Sequence, residues 1–506
     1  MTRTSVTHPL QVSSANSRPG YGRVGITFCP GKCQANAATG PWVRDLQTDV
    51  AAIAKWGAAA VVTLLEPHEI AMLSVASLGA EVERQHMAWI HLPIRDVSVP
   101  IHEFEQDWQV QGARLRAILR SGFDVVVHCK GGLGRAGMIA ARLLVELGTP
   151  PDEAIKQVRT ARPGAIETGA QEAHVQAAEY QAEPVPSAAP EAVRDRALGA
   201  LLGLAVGDAL GTTLEFTKRD GYEPLSDMIG GGPFRLQPGQ WTDDTAMALA
   251  LADSLIAHPE LDPADLMARF GSWREEGTYS CSGSCFDIGS TVSSALHRWQ
   301  RTGNPVAGST DPHTAGNGAL MRLAPVALRW WHDQDMVVDV AVRQSATTHG
   351  APEALSASAA FATMLGEAIA GHPRSQVLAP RSGDYAGNIA PIMAGSWRGK
   401  PRHQVQSSGY VTHSLEAALW AVGRTGSFRD AVLLAANLGG DADTTAAITG
   451  QLAGALYGLR GIPEEWLSRL AWRERIEEMG KALFEADQLA TATNRQDLAP
   501  LPGKQG

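Results

Sequence analysis

The chain has 506 residues, more than one core requires, so two domains are expected. With 44% hydrophobic and 19% charged residues it reads as a folded globular protein, which excludes a wholly disordered chain. Residues 1–190 carry 17 basic against 18 acidic side chains and the rest 26 against 35, so the net charge of −10 sits mostly in the second part and argues against a nucleic-acid polymer as partner.

Residues 1–20 are polar and aperiodic, and are expected to be a flexible lead-in. They hold no hydrophobic signal core, so a cytoplasmic location is expected. From Gly22 onward, short apolar runs at 24–28, 59–65, 89–94 and 124–128 alternate with helical spacing at 42–56, 68–87 and 102–119. That alternation predicts an α/β domain with a largely parallel sheet over residues 21–182. Five cysteines make no disulfide framework, and neither Cys29 with Cys33 nor Cys281 with Cys285 has a second Cys or His pair at zinc spacing.

The fourth apolar run ends in His128-Cys129-Lys130-Gly131-Gly132-Leu133-Gly134-Arg135-Ala136-Gly137, and a helical stretch follows at 138–147. A strand, a glycine-rich turn and a helix aim successive backbone N–H groups at one spot, which suits an anion. Cys129 at the mouth of that turn is placed as a nucleophile. Arg135 can grip two phosphoryl oxygens as a bidentate fork. This Cys-x5-Arg pattern resembles the tyrosine and dual-specificity phosphatases, in particular the kinase-associated phosphatase branch. Residues 25–31, Leu92-Pro93-Ile94-Arg95-Asp96 and residues 162–168 extend the likeness over about 20–182. The resemblance implies that Lys130, Gly131, Gly132, Leu133 and Gly134 cradle the phosphate, that Asp96 is the general acid, and that Gln171 positions the hydrolytic water. It implies no cofactor in this domain. The family places Ser or Thr after the arginine; here Ala136 stands there, so slow turnover is expected.

Residues 183–192 are rich in Pro and Ala and read as a semi-extended linker. Beyond it helical patterns dominate to about residue 490, at 193–210, 244–258, 263–275, 288–301, 325–333, 352–370, 415–422, 428–437 and 445–459, which predicts an all-α domain over 193–490 and a tail at 491–506. Residues 371–408 read as a loop. No uninterrupted apolar span nears twenty residues, since 200–210 is cut by Gly203, Gly207 and Asp208, so no membrane association is expected.

Two segments of this second part stand out: Trp241-Thr242-Asp243-Asp244-Thr245 and residues 437–445, which include Asp441, Asp443 and Thr444. Four carboxylates gathered together repel one another unless a cation neutralises them, and hard oxygen ligands suit Mg²⁺ or Mn²⁺. Each segment taken singly also reads as an ordinary Asp/Thr helix cap. Together with residues 196–216, 285–289, 316–322, 348–350 and 408–420, in that order, they resemble the ADP-ribosylglycohydrolase family over about 193–485, most closely its dinitrogenase-reductase-activating branch. The resemblance implies that Thr242, Asp243, Asp244, Asp441, Asp443 and Thr444 hold two Mg²⁺ or Mn²⁺ ions. It further implies Asp287 as acid/base with Glu215 as a second candidate, backbone amides of Gly316, Asn317 and Gly318 near a pyrophosphate, and His349 and Tyr410 as ribose or adenine contacts. Asp208 is expected to pack at the end of its helix without a chemical role.

The expected protein is therefore a bifunctional hydrolase. One half removes ADP-ribose, from an arginine linkage first, from an ADP-ribosylated protein or an ADP-ribose-containing small molecule. The other half removes phosphate from a phosphorylated protein or metabolite through a phosphocysteine. Two alternatives stand beside it: both halves process one phosphorylated ADP-ribose metabolite, or both bind such groups without turning them over.

Overall fold

The computed structural model describes residues 2–37 and 40–497, those beyond Glu485 as backbone only. The chain divides into two compact units, the first built on residues 1–184 with the short segments Arg398–Arg402 and Gly423–Gly426, the second on the remainder.

The first unit is a five-stranded sheet, β1 (Ser13–Asn16), β2 (Arg23–Phe28), β3 (Ala58–Thr63), β4 (Ala88–His91) and β5 (Asp124–Cys129), in the order β1-β2-β5-β3-β4. All neighbours run parallel except β1, which pairs antiparallel with β2. The central strands β3 and β5 are almost wholly buried, as their runs of Ala and Val require when helices cover both faces. The sequence places the four parallel strands correctly and misses β1. Its residues, Ser-Ser-Ala-Asn, carry no apolar alternation, because an edge strand is held by backbone pairing and only Ala15 turns inward. The lead-in is thus partly structured. The expected helix at 68–87 is two, Pro67–Met72 and Leu78–Arg84, parted where Ser74 takes a positive φ. Phe28 pairs with Cys129, so the sheet delivers the cysteine at the carboxyl end of its central strand, and helix α1 (Gly134–Glu146) follows.

The second unit is helical. Its core pair is α2 (Pro190–Gly211) and α3 (Ala442–Tyr457). Gly199, Gly203, Gly207 and Gly211 recur every four residues and so share one face of α2, where a Cβ would overlap backbone of Gly454, Gly450, Ala446 and Ala442. Only glycine lets the two backbones come this close, and the contact brings Asp208 beside Asp443. The helix starts at Pro190, inside the expected linker, because proline suits the first helical position. By composition 190–214 could cross a membrane, yet 94% of its most apolar stretch is buried within the unit, so its hydrophobicity serves the core. The helices Gln334–Thr348 and Arg473–Asp497 were not anticipated. The latter makes 491–497 helical where a tail was expected; the rest of that expected tail, 498–506, lies outside the described residues.

Candidate functional sites

In the first unit the loop 130–134 turns tightly around Cys129. Gly132 adopts φ +70°, and a Cβ there would overlap the backbone of Thr27 and Phe28, so glycine is required. Its N–H donates to Cys129 Sγ at 3.3 Å. The carbonyls are drawn the other way: Lys32 Nζ donates to the Lys130 carbonyl at 3.2 Å, and Arg162 donates from Nε to Gly132 O and from Nη2 to Gly131 O. With carbonyls tied back, the Gly132 N–H is free to turn toward the thiol.

Arg135 is buried, with both terminal nitrogens paired and Nε left without a hydrogen-bond partner. It forms a bidentate pair with Glu69 at 2.6 and 2.9 Å, meets Asp96 at 2.9 Å, and donates to the Ile94 carbonyl at 2.8 Å. Asp96 is about half exposed at the lip. Burial works against the charge of Glu69, but Arg135 holds its carboxyl below the ordinary value. Cys129, Lys130, Gly131, Gly132, Leu133, Gly134, Arg135 and Asp96 therefore come together as the sequence implies. Gln171 is fully buried beside the loop, accepts from Glu167 N at 3.0 Å and donates to Ser98 O at 3.3 Å. The acid near the loop is Glu167, whose Oε2 accepts from Gly134 N at 2.8 Å. Glu69, Lys32 and the role of Arg162 also escaped the sequence reading, since their contacts join segments 30 to 100 residues apart, as for Lys32 with Lys130 and Arg135 with Glu69.

In the second unit two helix N-termini converge, that of α3 and that of the helix Asp243–Ala257. Asp208, which the sequence reading left without a role, ties them. Its Oδ1 accepts from Thr242 N and Oγ1, both at 2.9 Å, and its Oδ2 from Thr245 N at 3.0 Å and Oγ1 at 2.6 Å. It thus caps the neighbouring helix from α2. Gly439 and Gly440 both take positive φ, which turns the chain sharply into α3. Gly440 pairs with the segment after Glu215 through Phe216 N to Gly440 O at 2.7 Å and Gly440 N to Thr217 O at 2.9 Å. That pairing brings Glu215 over the start of α3, where its Oε2 accepts from Ala442 N at 2.7 Å.

Two groups of carboxylate oxygens result, Asp208 with Asp244 and Asp443, and Glu215 with Asp441 and Asp443, each within 4.8 Å. Asp443 is shared. Thr444 Oγ1 lies 3.4 Å from Asp244 Oδ2 and Thr242 Oγ1 3.3 Å from Asp443 Oδ2, so both threonines belong to the cluster. Asp243 stands beside it, outside the two close groups. Burial is the largest cause that raises every one of these acids, with neighbouring carboxylates adding to it: Asp208, Asp441 and Asp443 to about 7, Glu215 to about 12, Asp243 and Asp244 well above the ordinary range. Asp287, half-buried and at φ +59°, rises to about 6. Among the described residues no Lys or Arg forms an ion pair with any of them. Asp244 Oδ1 is buried without a hydrogen-bond partner there, which costs free energy that a proton or a cation would offset. Hard oxygens, a shared carboxylate and an orphaned buried oxygen fit two divalent cations.

The remaining residues take other places. Asn317 donates from Nδ2 to Asp441 at 2.5 Å and to Ser414 at 2.8 Å. The amides of Gly316 and Asn317 are spent on Thr314 O and Gly409 O, so two of the three amides expected near a pyrophosphate are used internally. His349 is buried beneath Gly316 and Gly318, bonds Thr348 Oγ1 at 2.8 Å and has its basicity pushed down to about 3 by burial and Arg322. It supports the loop and makes no open contact. Tyr410, half-exposed, donates to Glu353 at 2.6 Å at the edge of the site.

Comparison with known proteins agrees with this division. Residues 189–493 match the family described as ADP-ribosylglycohydrolase, and 43–175 the one described as Swiss Army Knife protein, DSP-PTPase phosphatase domain. The chain is 48% identical over 296 residues to the ADP-ribosylarginine hydrolase Tri1 of Pseudomonas putida (strain GB-1), covering 58% of this chain and 80% of that one. It is 37% identical over 283 residues to the ADP-ribosyl-[dinitrogen reductase] glycohydrolase of Rhodospirillum rubrum, covering 55% and 91%. A solved structure titled ADP-ribosylglycohydrolase-related protein complex aligns at TM-score 0.52 and 42% identity over 58% of this chain and 99% of that one.

Proposed function

The chain belongs to the ADP-ribosylglycohydrolase family, and from that premise we propose that its second unit releases ADP-ribose from arginine-linked substrates with two Mg²⁺ or Mn²⁺ ions, while its first unit hydrolyses phosphate esters through a phosphocysteine. The carboxylate cluster shared through Asp443 carries the first claim. The linkage is supported by the first relative above, which is named for ADP-ribosylarginine.

Asp208, Asp244 and Asp443 would hold one ion, and Glu215, Asp441 and Asp443 the other, with Thr242 and Thr444 beside them. Bound there, a cation pair supplies Lewis acidity and orients oxygen ligands. The chain's own groups do the rest. Asp287, raised to about 6, can take a proton from attacking water and return one to the departing guanidinium nitrogen. Nearby carboxylates stabilise positive charge developing at the ribose carbon. Asn317 fixes Asp441, and Asp208 holds Thr242 and Thr245 in place.

In the first unit Cys129 Sγ attacks phosphorus, Arg135 and the loop amides hold the equatorial oxygens, and Asp96 hands its proton to the leaving oxygen. Water then attacks phosphorus, the S–P bond breaks, and the thiolate returns. Ala136 offers no hydroxyl to that departing sulfur. The test of the leading claim is turnover of ADP-ribosylarginine by the full chain with Mg²⁺, Mn²⁺ or EDTA. Metal-dependent release of ADP-ribose, lost in Asp441→Ala, is expected; release unaffected by EDTA would overturn the two-ion reading.

A further inference from the structure

Three phenylalanines form a continuous strip beside the carboxylate cluster. Phe216 meets Phe234 edge-on with ring centres 6.4 Å apart, and Phe234 meets Phe286 at 5.2 Å. The strip begins one residue after Glu215 and ends one residue before Asp287, so each end adjoins an acid of the site.

Core packing does not explain it. Phe216 is 69% exposed, and Phe234 and Phe286 are each half-buried. Phe216 also sits at φ +58°, and Asp287 at the far end at φ +59°. A bulky residue in the left-handed region is strained, and strain of this kind persists where the surroundings impose it. Here the surroundings do: Phe216 N is held by Gly440 O at 2.7 Å. Phe234 rides on a tight reversal closed by Gly231 N to Leu236 O at 2.8 Å and Leu236 N to Gly231 O at 3.0 Å. That reversal rests so closely on Thr212 that a Cβ on Gly232 would overlap its carbonyl. The backbone thus spends strain and a close contact to present aromatic surface to solvent next to buried acid.

Aromatic faces next to carboxylates are the environment a guanidinium prefers. It is flat, weakly hydrated and always charged, so it stacks on a ring while its N–H fork meets an acid. An oxygen-linked leaving group has no cation to place there. We propose that Phe216, Phe234 and Phe286 seat the guanidinium of the leaving arginine and so set the preference for arginine-linked over oxygen-linked ADP-ribose. This rests on the reading of the second unit as an ADP-ribosylarginine hydrolase.

The test uses the full chain with ADP-ribosylated agmatine and O-acetyl-ADP-ribose as substrates, and with free agmatine and ADP-ribose as inhibitors. In Phe234→Ala and Phe286→Ala the ratio of kcat/KM for the guanidinium-linked over the oxygen-linked substrate falls by about tenfold. Inhibition by agmatine weakens in step, inhibition by ADP-ribose is unmoved, and Phe286→Trp restores the ratio. If ADP-ribose inhibition weakens as much as agmatine inhibition, the rings serve the nucleotide and the proposal fails. An unchanged ratio overturns it as well. A wild-type chain inert on the guanidinium-linked substrate, yet active on the other, would overturn the underlying reading instead.

Discussion

In the first unit the cations at the site have partners: Arg135 is gripped by Glu69 and touched by Asp96, and Lys32 and Arg162 are spent on loop carbonyls. In the second, Asp208, Glu215, Asp243, Asp244, Asp441 and Asp443 crowd together among hydroxyls, amides and two helix N-termini, and among the described residues none of them forms an ion pair with Lys or Arg. The first arrangement pairs its buried arginine with acids as folded. The second is unbalanced, which is visible in carboxyls pushed far up by burial and by one another. One chain therefore carries a site whose arginine is paired with acids and a site whose crowded acids form no ion pair with Lys or Arg among the described residues.

The sharpest way to break this comparison is Asp443→Asn, which removes the carboxylate both groups share. ADP-ribose release should fall about a thousandfold or more, with hydrolysis of p-nitrophenyl phosphate unchanged; equal loss in both assays would contradict the division. In the balanced site, Glu69→Gln leaves Arg135 buried with half its pairing gone. Urea unfolding should show the first unit destabilised by about 3 kcal/mol, together with a slower phosphatase. Ala136→Ser adds the absent hydroxyl. Faster breakdown of the phosphocysteine, by about tenfold to a hundredfold, is expected in burst kinetics, and no change would mean that another step limits turnover.

The smallest effect concerns what the two units share. Each holds a neutral buried histidine on a threonine hydroxyl at 2.8 Å, His128 on Thr63 and His349 on Thr348, and burial drives both down to about 3. An unfolded histidine takes its proton near pH 6.5. The unfolded chain therefore binds more protons between about 6.5 and 3, and stability is lost as pH falls through that window, by about 1 kcal/mol per histidine at pH 6. Thermal unfolding of His128→Gln and His349→Gln should show a shallower decline between pH 7 and 5.

Much of this was readable because local spacing carried it. Cys129 through Arg135 sit in one turn, and Asp243-Asp244 and Asp441-Asp443 sit at the starts of helices that glycine and proline announce. What escaped depended on distant partners. Asp208 looked like a helix residue, and its function appears only when Gly207 and Gly211 let α3 approach. Glu69 reaches Arg135 from 66 residues away. His349 and Gln171 carried the right chemistry for ligand contacts but face inward, because their hydrogen bonds close onto neighbouring loops. The strand Ser13–Asn16 has no apolar pattern to read.

The central claim is that the second site is balanced by two cations. Titration of Mn²⁺ into the EDTA-stripped full chain, followed by electron paramagnetic resonance, measures this directly. Two ions bound per chain, both weakened by Asp443→Asn, is the expected result. No saturable binding, or the same stoichiometry and affinity in the variant, would contradict it.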